Sequence, residues 1–565
     1  MKGSDYIVSF LEKNSITDIF GYPGATVCHL MDSLEKSRSI RNHLNYHEQA
    51  CAFAACGYAQ SSGKIGVAYA NGGPGFTNLI SGIANAFYDS IPTIFICGQV
   101  DVSDMVGNRL IRQSGIQEIP ISKIASNFVK EAIFVDKPEK LVESMHRAFG
   151  IVQNGRPGPV LLEIPANIQR ADIEVSIIEE CNEKRRGANK DFEIVFSEIN
   201  NSKRPCLLVG NGIKISGLVD EFRKCVEKLA IPVVFTLPAF DLLSFDSKYN
   251  YGFIGNNGCR YSNYILNKCD LIVSMGARLD VKVVGKDKNT FVHDAKLIRI
   301  DVDSNELSER ITENEIQIHA NVKEFFDEIL SRNSIAENTA WLHVCEKIKT
   351  ELYRYDFKNY HFLLQNLFQK ADFNACFTAD VGHHEIYMAQ SLQLKEKQNV
   401  IFSLGLASMG YSLPAAIGAY YAKGAQVISV SGDGGIQMNL QELQFISREN
   451  IPIKIIVFNN NSLGMVREFQ ERNFNNICCK TTDAYGYSVP EFEKIAFAYG
   501  LKYTKIQDTS EEDIKNFEFE DNIPEFIEII ISEPTYLYPR YARNKRICDM
   551  EPELDNLKRE MIDKL

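Results

Sequence analysis

The sequence predicts an α/β protein in which three domains each hold a parallel sheet flanked by helices. The chain has 565 residues, which is too long for one core, and a typical domain of roughly 150 residues points to three or four units. Apolar runs rich in β-branched residues alternate with amphipathic stretches, as in IGVAYA, TNLISGIANAFYD and TIFICGQV. This alternation is typical of βαβ units, whose strands form parallel sheets.

The domain boundaries are predicted from strand-like and polar segments. The first domain covers residues 1–175, the second 190–335 and the third 355–540, with the charged segment EECNEKRRGANKD as the linker after the first. Residues 541–565 form a highly charged tail. Such a tail could cover an active site or form a solvated helix, and we favour the solvated helix.

Composition and charge argue against several classes of protein. A formal net charge of −12, with no basic stripe to offset it, disfavours nucleic acid as a partner. No apolar run is long enough to span a bilayer, and the start MKGSDYIVSFLEKNSITDIF lacks the pattern of a secretory signal. The cysteines are scattered without CxxC spacing, which favours reduced thiols. We therefore expect a cytoplasmic protein that acts on small molecules.

A metal site is predicted in the stretch VISVSGDGGIQMNLQELQFISRENIPIKIIVFNNNSLGMV. Asp433 follows one hydrophobic strand, and Asn460 follows the next. Parallel strands deliver their carboxyl ends to the same edge of a sheet, so these two side chains can meet there. Carboxylate, amide and carbonyl oxygens are the ligands that Mg2+ prefers.

The same stretch predicts a site for a phosphorylated ligand. Gly432, Gly434 and Gly435 allow the backbone to approach closely, and a helix beginning near Met438 would point its N-terminus at negative charge. GDG alone is commonly a turn, and NN alone is more often a hairpin or a cap. Their combination, separated by a helix and a strand, is more specific.

In these motifs the sequence resembles the thiamine-diphosphate enzymes, in which GDG is followed within thirty residues by NN. The resemblance implies that Asp433, Asn460 and the carbonyl of Ser462 bind Mg2+. The segment DVGHH resembles the diphosphate-contacting turn of the family, and its two histidines fit hydrogen bonding to phosphate better than metal binding. The residues implied to bind the cofactor on the third domain are Val381, Gly382, His383, His384, Ala407, Gly432, Gly434, Gly435 and Gly464.

Glu48 is the predicted activating residue. The cofactor works only if its thiazolium C2 loses a proton, which requires a carboxyl group at the pyrimidine N1'. Glu48 begins an otherwise small and apolar helix, where burial would raise its pKa and let it share a proton. A glutamate here could instead serve only to complement the helix dipole. However, HEQ, GYA and GGPGFTN resemble the pyrimidine-binding domain of acetolactate synthases, and this resemblance implies the activating role.

Other roles follow from the same resemblance. GLASMGYSLPAAIGA implies that Met409 supports the bent cofactor and that the carbonyl of Ala407 accepts from its 4'-amino group, although a methionine is ordinarily core filler. Gln117 and Met465 are the further implied catalytic residues. On the first, pyrimidine-binding domain the implied cofactor contacts are Gly24, Ala25, Gly73 and Asn78.

The resemblance to the acetolactate synthase large chain runs from FGYPGATV to SLGMVREFQ. It implies that pyruvate loses CO2 and that the remaining two-carbon unit attacks a second carbonyl, helped by an apolar pocket. Four positions depart from the family pattern: Ile116 stands for phenylalanine, Ala166 for lysine, Lys282 for arginine and Phe469 for tryptophan. Lysine lacks the two-pronged fork with which arginine grips a carboxylate.

These departures suggest a different acceptor, and our leading hypothesis is a nucleotide-linked keto-deoxysugar, as in yersiniose biosynthesis. The alternatives are acetolactate synthesis from pyruvate with pyruvate or 2-ketobutyrate, a pyruvate oxidase, a non-oxidative decarboxylase, or a scaffold that has lost catalysis.

The middle domain of this family holds FAD, which takes no redox part in carboligation. VGNGIKISG, TLPAF, GFIGNNG, MGARLD and IRIDVDSNEL lie where the flavin-binding segments should be. The GNG turn lacks the third glycine of a GxGxxG motif because Ile215 stands there, so bland structural turns remain a competing interpretation. The expected FAD contacts are Gly210, Gly212, Thr236, Arg278 and Asp301.

An oligomer is also implied. Glu48 lies on the first domain and Asp433 on the third, so one cofactor must contact both domains. In this family those domains come from different subunits, which implies a homodimer, or a homotetramer, with active sites between subunits.

Overall fold

The structure is a computed structural model that describes residues 1–175, 192–292, 294–332, 338–520, 522–542 and 545–565. It contains three six-stranded sheets, and every strand pairing within them is parallel. Helices flank each sheet, so the predicted fold class is confirmed. The predicted linker EECNEKRRGANKD lies outside the described residues.

The first sheet has the strand order β2-β1-β3-β4-β6-β5. Its strands are β1 (Asp18–Gly21), β2 (Arg41–Leu44), β3 (Gly66–Ala70), β4 (Thr93–Gln99), β5 (Glu131–Phe134) and β6 (Val160–Pro165). Its helices are α1 (Gly3–Lys13), α2 (Cys28–Lys36), α3 (Glu48–Ser62), α4 (Pro74–Tyr88), α5 (Ile121–Ala125), α6 (Leu141–Val152) and α7 (Ala166–Arg170). The run IGVAYA gives β3 and TIFICGQV gives β4, with α4 between them, as the βαβ pattern predicts.

The second sheet has the order β12-β11-β10-β7-β8-β9. Its strands are β7 (Pro205–Val209), β8 (Val233–Phe235), β9 (Asn250–Phe253), β10 (Leu271–Met275), β11 (Lys296–Asp301) and β12 (Ile316–His319). Its helices are α8 (Glu193–Asn201), α9 (Gly212–Ile215), α10 (Val219–Leu229), α11 (Arg260–Lys268), α12 (Val281–Val284), α13 (Ser304–Ser308) and α14 (Val322–Ser331). The helix α15 (Thr339–Leu352) follows and packs against α11.

The third sheet has the order β14-β13-β15-β16-β18-β17. Its strands are β13 (Cys376–Ala379), β14 (Asn399–Ile401), β15 (Val427–Gly432), β16 (Lys454–Asn459), β17 (Lys502–Gln507) and β18 (Glu525–Ile530). Its helices are α16 (Asn359–Gln369), α17 (His383–Ser391), α18 (Ser412–Lys423), α19 (Asp433–Ile436), α20 (Glu442–Glu449), α21 (Gly464–Asn473), α22 (Phe492–Ala498) and α23 (Glu511–Asn516). Because β13, β15 and β16 are neighbours, the turns that follow them meet at one edge of this sheet.

The charged tail is docked on the second domain rather than fully solvated. It contains β19 (Arg540–Tyr541) and β20 (Met550–Glu551), which pair antiparallel, and the helix α24 (Asn556–Lys564). Most of α24 is exposed, as expected of a solvated helix, but its Ile562 is fully buried. Arg260 of α11 donates to the carbonyl of Pro552 at 2.8 Å. The preference for a solvated helix is therefore only partly right.

The first and third domains meet where α3 crosses α18. Both helices carry small residues at the crossing, and a Cβ added to Gly57 would lie 2.2 Å from the carbonyl oxygen of Ala415. A Cβ on Gly418 would lie 1.9 Å from the carbonyl oxygen of Ala54. Only glycine allows this approach of the two backbones, which explains the small residues of α3. No helix in the described part of the chain is long and apolar enough to cross a membrane.

This crossing gives a stability prediction. We expect Gly418→Ala to lower the free energy of unfolding by about 1–3 kcal/mol, because the added methyl group must push two helix backbones apart. Denaturant unfolding would measure the change. Gly150→Ala is the matched control, since Gly150 lies in α6 with open space at its Cβ position and should be neutral or slightly stabilising. Equal stability of the two variants would contradict the prediction.

Candidate active site

Asp433 and Asn460 come together at the carboxyl edge of the third sheet. Asp433 begins α19 directly after β15, and Asn460 follows β16. The backbone N–H of Ser462 donates to Asp433 Oδ2 at 3.2 Å and to Asn460 Oδ1 at 3.1 Å. The carbonyl of Ser462 accepts from Gly464 N at 2.9 Å and keeps a second lone pair free for another donor or a metal. The three oxygens predicted as metal ligands are therefore neighbours.

The environment of Asp433 suits a cation. Its side chain is only 2 % exposed, and burial raises its pKa to about 6. Tyr487 Oη donates to Asp433 Oδ1 at 3.1 Å, but no lysine or arginine pairs with this carboxylate among the described residues. A buried carboxylate without a cationic partner is costly, and a divalent ion would offset that cost. A carboxylate, an amide oxygen and a carbonyl together match the preferences of Mg2+.

The turn after β13 places two histidines beside the same edge. His384 is buried next to Gly382 and Gly432, and burial lowers its pKa to about 3, so the ring is neutral. Its Nε2 has no hydrogen-bond partner among the described residues. His383 forms a hydrogen bond through Nδ1 with Thr535 Oγ1 at 2.9 Å, and its Nε2 lies 2.9 Å from a carboxylate oxygen of Glu468. His384 thus offers an unpaired ring nitrogen where a phosphate is predicted to lie.

The glycines of the GDGG segment lie close to neighbouring side chains. A Cβ on Gly434 would lie 2.5 Å from the Leu463 side chain, and one on Gly435 would lie 2.3 Å from the Asp380 carboxylate. The nearest neighbours of Gly432 are ring atoms of His384 at 3.1 Å. These glycines make room for side chains that build the site.

The turns after β13, β15 and β16 contain three more of the residues predicted near the cofactor. The chain turns into helix immediately after β15, so α19 at Asp433–Ile436 precedes the helix expected near Met438. Met438 itself lies in a 3-10 turn at Gln437–Asn439, just before α20. Val381 N donates to Asp380 Oδ1 at 3.0 Å, which fixes the DVGHH turn. A Cβ on Gly464 would lie 3.0 Å from His383 Nδ1 and 3.1 Å from Asn460 Nδ2, so a larger residue here would crowd two side chains of the site.

The loop between β14 and α18 carries Ala407 and Met409. Ala407 has φ of +55°, a strained conformation for a residue with a side chain, which the surrounding structure must impose. The methyl carbon of Met409 lies 3.6 Å from the Cβ position of Gly434. Met409 is therefore next to the Asp433 turn, as its predicted role requires.

Glu48 begins α3, with His47 as the N-cap, as the sequence predicts. Asn78 Nδ2 donates to Glu48 Oε2 at 3.0 Å, so the two predicted cofactor contacts are joined. The Glu48 side chain is half-buried, and the burial expected from the sequence is not reached within one chain. The first domain leaves this carboxylate available at its surface.

The other predicted residues of the first domain surround Asn71. Asn71 Nδ2 donates to Gln117 Oε1 at 2.9 Å, and Asn71 Oδ1 accepts from Thr26 N at 2.8 Å. Gly24 lies against the Asn71 side chain, and Ala25 begins the short helical turn that follows. Gly73 lies against Gln117, and both have positive φ, +62° and +65°. These loops form one surface at the carboxyl edge of the first sheet.

The residues of the predicted acceptor pocket come from all three domains. Ile116, which is 85 % exposed, and Ala166 at the start of α7 lie on the first domain. Lys282 on the second domain is exposed, and Phe469 on the third is 60 % exposed. No hydrogen bond or ion pair joins the two groups within the described residues.

A cavity of about 640 Å³ lies where the three domains meet. Four of the five predicted FAD contacts line it, together with the predicted catalytic Met465 and the acceptor residue Lys282. The four are Gly212, Thr236, Arg278 and Asp301. Gly210 does not line the cavity, because it packs against the Gly276 carbonyl, 2.2 Å from its Cβ position.

The charges in this cavity are mixed. Arg278 donates through Nη2 to Asp280 at 2.9 Å and through Nη1 to the carbonyl of Tyr88 at 3.2 Å. Burial raises the pKa of Asp301, and Arg156 pairs with Asp303 and Glu306 nearby. The walls therefore offer both hydrogen-bond donors and acceptors to a large polar ligand.

Sequence reasoning missed several residues of the site. Tyr487 and Thr535 contact Asp433, Asn460 or His383 from segments that carry no motif. Glu468 contacts His383 from within the SLGMVREFQ segment, in which it was not singled out. Asn71 adjoins the predicted GGPG segment, and its neighbourhood was the one available signal. Within the described residues, no group of three or more histidine, cysteine, aspartate or glutamate side chains converges as a metal site.

Comparison with known families agrees with this arrangement of domains. Residues 1–124 match the thiamine pyrophosphate enzyme N-terminal TPP binding domain, residues 193–329 the central domain and residues 380–529 the C-terminal TPP binding domain. The fold and the site thus define a thiamine pyrophosphate enzyme.

Relatives that match nearly the whole chain identify the type of thiamine pyrophosphate enzyme more closely. The chain is 32% identical to acetolactate synthase 1, chloroplastic, of Oryza sativa subsp. japonica, over 97% of this chain and 87% of that protein. It is 33% identical to the acetolactate synthase isozyme 2 large subunit of Escherichia coli, over 89% and 90% of the two chains. For a probable acetolactate synthase large subunit of Methanocaldococcus jannaschii the identity is 32%, over 99% and 98%. The chain therefore belongs to the acetolactate synthase family of thiamine pyrophosphate enzymes.

Proposed function

We propose that this protein is a Mg2+-dependent thiamine-diphosphate carboligase that decarboxylates pyruvate and joins the two-carbon unit to a second 2-keto acid. The observation that carries the proposal is the meeting of Asp433, Asn460 and Ser462 beside Met409. This site occurs in a chain whose full-length relatives are acetolactate synthases.

The residues of the third domain would hold the diphosphate end of the cofactor. Oxygens of Asp433, Asn460 and Ser462 would bind Mg2+, and His384 would donate to a phosphate through its unpaired Nε2. The Ala407 carbonyl would accept from the 4'-amino group, and Met409 would support the ring. When bound, thiamine diphosphate supplies a nucleophilic carbon for attack on a 2-keto group. Glu48 would share a proton with the pyrimidine N1', and Asn78 orients its carboxylate.

The active form would be a homodimer with sites between the subunits. Glu48 is half-buried, and the acceptor residues are contributed by all three domains of the chain. The third domain also exposes several apolar side chains, namely Met438, Val466, Phe469, Phe474 and Ile477. A partner's first domain would cover these side chains and complete the burial of its own Glu48. Pairing of dimers into a homotetramer is compatible with this arrangement.

FAD is the proposed ligand of the large cavity. The cavity has the volume of a cofactor site, and Arg278, Asp301 and Thr236 line it. A purified protein that is yellow and releases FAD on denaturation would support this assignment. A colourless protein that takes up no FAD from solution would refute it. Flavin that pyruvate bleaches without oxygen would instead indicate a pyruvate oxidase.

A second candidate acceptor is a nucleotide-linked keto-deoxysugar. The specific observation in its favour is the set of four departures from the family pattern, of which Lys282 on the second domain and Phe469 on the third are exposed. The relatives give no support to this acceptor and favour a 2-keto acid. Between the two, the 2-keto acid is the main proposal.

Product analysis tests both acceptors. The purified protein would receive pyruvate with thiamine diphosphate and Mg2+, alone or with 2-ketobutyrate or a nucleotide-linked keto-deoxysugar. We expect acetolactate from pyruvate alone and consumption of 2-ketobutyrate. A branched sugar product, with neither acetolactate formation nor 2-ketobutyrate consumption, would favour the nucleotide-linked keto-deoxysugar as the acceptor. Release of acetaldehyde alone would indicate a decarboxylase, and no consumption of pyruvate would overturn the proposed function.

A further inference from the structure

Two carboxylates hold the two ends of the loop that carries Ala407 and Met409. At the far end, Gly410 N donates to both carboxylate oxygens of Asp380, at 3.0 and 2.9 Å. Asp380 belongs to the same domain as the loop. The near end of the loop, by contrast, is held by a different domain.

Asp89 of the first domain binds the near end. It follows the last residue of α4, and its Oδ1 accepts from Gly405 N at 2.7 Å while its Oδ2 accepts from Leu404 N at 3.2 Å. Charge-assisted hydrogen bonds of this kind are stronger than those between neutral groups. A Cβ on Gly405 would lie 2.6 Å from the Cβ of Tyr88, so the loop is seated directly on the end of α4.

A second side chain of α4 holds the same loop. Ser403 Oγ donates to the Oδ1 of buried Asn85, and Ser408 N donates to Ser403 Oγ at 3.2 Å. The strained Ala407 precedes Ser408, so this relay adjoins the carbonyl predicted to face the cofactor. The loop makes these contacts with α4 at Ser403, Leu404 and Gly405, and none of them involves a residue that we place in contact with substrate.

We propose that Asp89 is a positioning residue that fixes the Ala407 carbonyl against the aminopyrimidine, with Asn85 as its auxiliary. This inference rests on the proposed function, because it concerns the cofactor of that site. The diphosphate and Mg2+ contacts lie on other turns, so Asp89 controls the orientation of the pyrimidine and not the anchoring of the cofactor. The same helix α4 carries Asn78, which contacts Glu48, near its other end. Helix α4 therefore supports both groups that are proposed to contact the pyrimidine, Glu48 and the Ala407 carbonyl. In the proposed dimer, these two groups of one chain belong to different active sites.

The test compares Asp89→Ala and Asp89→Asn with the parent in the full-length protein with thiamine diphosphate and Mg2+. The readouts are the exchange of the C2 proton of the bound cofactor for deuterium, kcat and KM for pyruvate, and cofactor affinity by calorimetry. We expect Asp89→Ala to slow exchange and kcat by about 10²-fold, the typical effect of a small misplacement. Cofactor affinity and KM should change by only a few-fold. Asp89→Asn should be intermediate, since one amide oxygen can still accept.

Controls separate positioning from a general loss of structure. Asp18→Asn removes a buried carboxylate elsewhere on the first domain, one that binds Arg41 and His43, and should lose stability without slowing exchange. If Asp89→Ala does not fold, Ser403→Ala can be used instead. It removes the hydrogen bond from the loop to Asn85 and should slow exchange several-fold. If folded Asp89→Ala exchanges the C2 proton as fast as the parent protein, this inference alone is overturned. If Asp89→Ala does not fold, the same result with Ser403→Ala overturns it. A parent protein that binds no thiamine diphosphate would overturn the proposed function as well.

Discussion

Replacing Glu48 by glutamine is expected to reduce turnover of pyruvate by about 10²- to 10⁴-fold, the range that a positioned acid-base group contributes. Glutamine has nearly the same shape and can still accept from Asn78, so the start of α3 should be unchanged. It cannot share an ionisable proton with the pyrimidine N1'. Steady-state kinetics with pyruvate would measure the loss.

Cofactor binding separates this effect from damage to the site. The proposed diphosphate contacts of Glu48→Gln are intact, so its affinity for thiamine diphosphate should remain within a few-fold of the parent value. Glu35→Gln, which changes an exposed carboxylate on α2, is the matched control and should be fully active. Parental activity of Glu48→Gln would remove the basis of the proposed mechanism.

The edge of the third sheet could be predicted from the sequence because strand order follows from simple rules. Two apolar runs end in polar residues, and parallel strands bring such ends together, so the meeting of Asp433 and Asn460 was foreseeable. The position of Glu48 at a helix start was equally visible, because small apolar residues follow it directly.

Other parts of the site could not be predicted, since they depend on contacts between distant segments. Thr535 bridges His383 and Asn460 across 152 and 75 residues, and no local pattern marks it. Tyr487 reaches Asp433 from an irregular segment. The sequence predicts that Gly435 lets the backbone approach a ligand, and the room that it also makes for Asp380 is a packing requirement that is visible only in three dimensions.

The crossing of α3 and α18 is a further contact between distant segments that could not be predicted. The alanines and Gly57 of α3 indicated a buried helix, but the sequence did not show which helix it would contact. The contact with Gly418 depends on a distance of under 2 Å between a hypothetical Cβ and a carbonyl oxygen. Such close approach is set by the relative placement of two domains.

Replacing Asp433 by asparagine is expected to lower the affinity for thiamine diphosphate with Mg2+ by at least about 10²-fold, equivalent to roughly 2.7 kcal/mol. The change removes the only carboxylate among the three proposed metal ligands, and the amide that replaces it carries no charge. The apo protein should be at least as stable as the parent, because a buried carboxylate without a cation is costly. Calorimetry with cofactor and Mg2+, with a chelator as the metal-free reference, would measure the loss. Unchanged affinity would exclude Asp433 as the metal ligand.

Mixing the two inactive variants would show where the active sites lie. If each site takes Glu48 from one subunit and Asp433 from the other, a mixed dimer of Glu48→Gln and Asp433→Asn has one site with both changes and one intact site. Random exchange of subunits should then restore roughly one quarter of the parental activity, because half of the dimers are mixed and half of their sites are intact. If both residues served one site within a single subunit, every site would carry a change and no activity would return. The half-burial of Glu48 favours recovery.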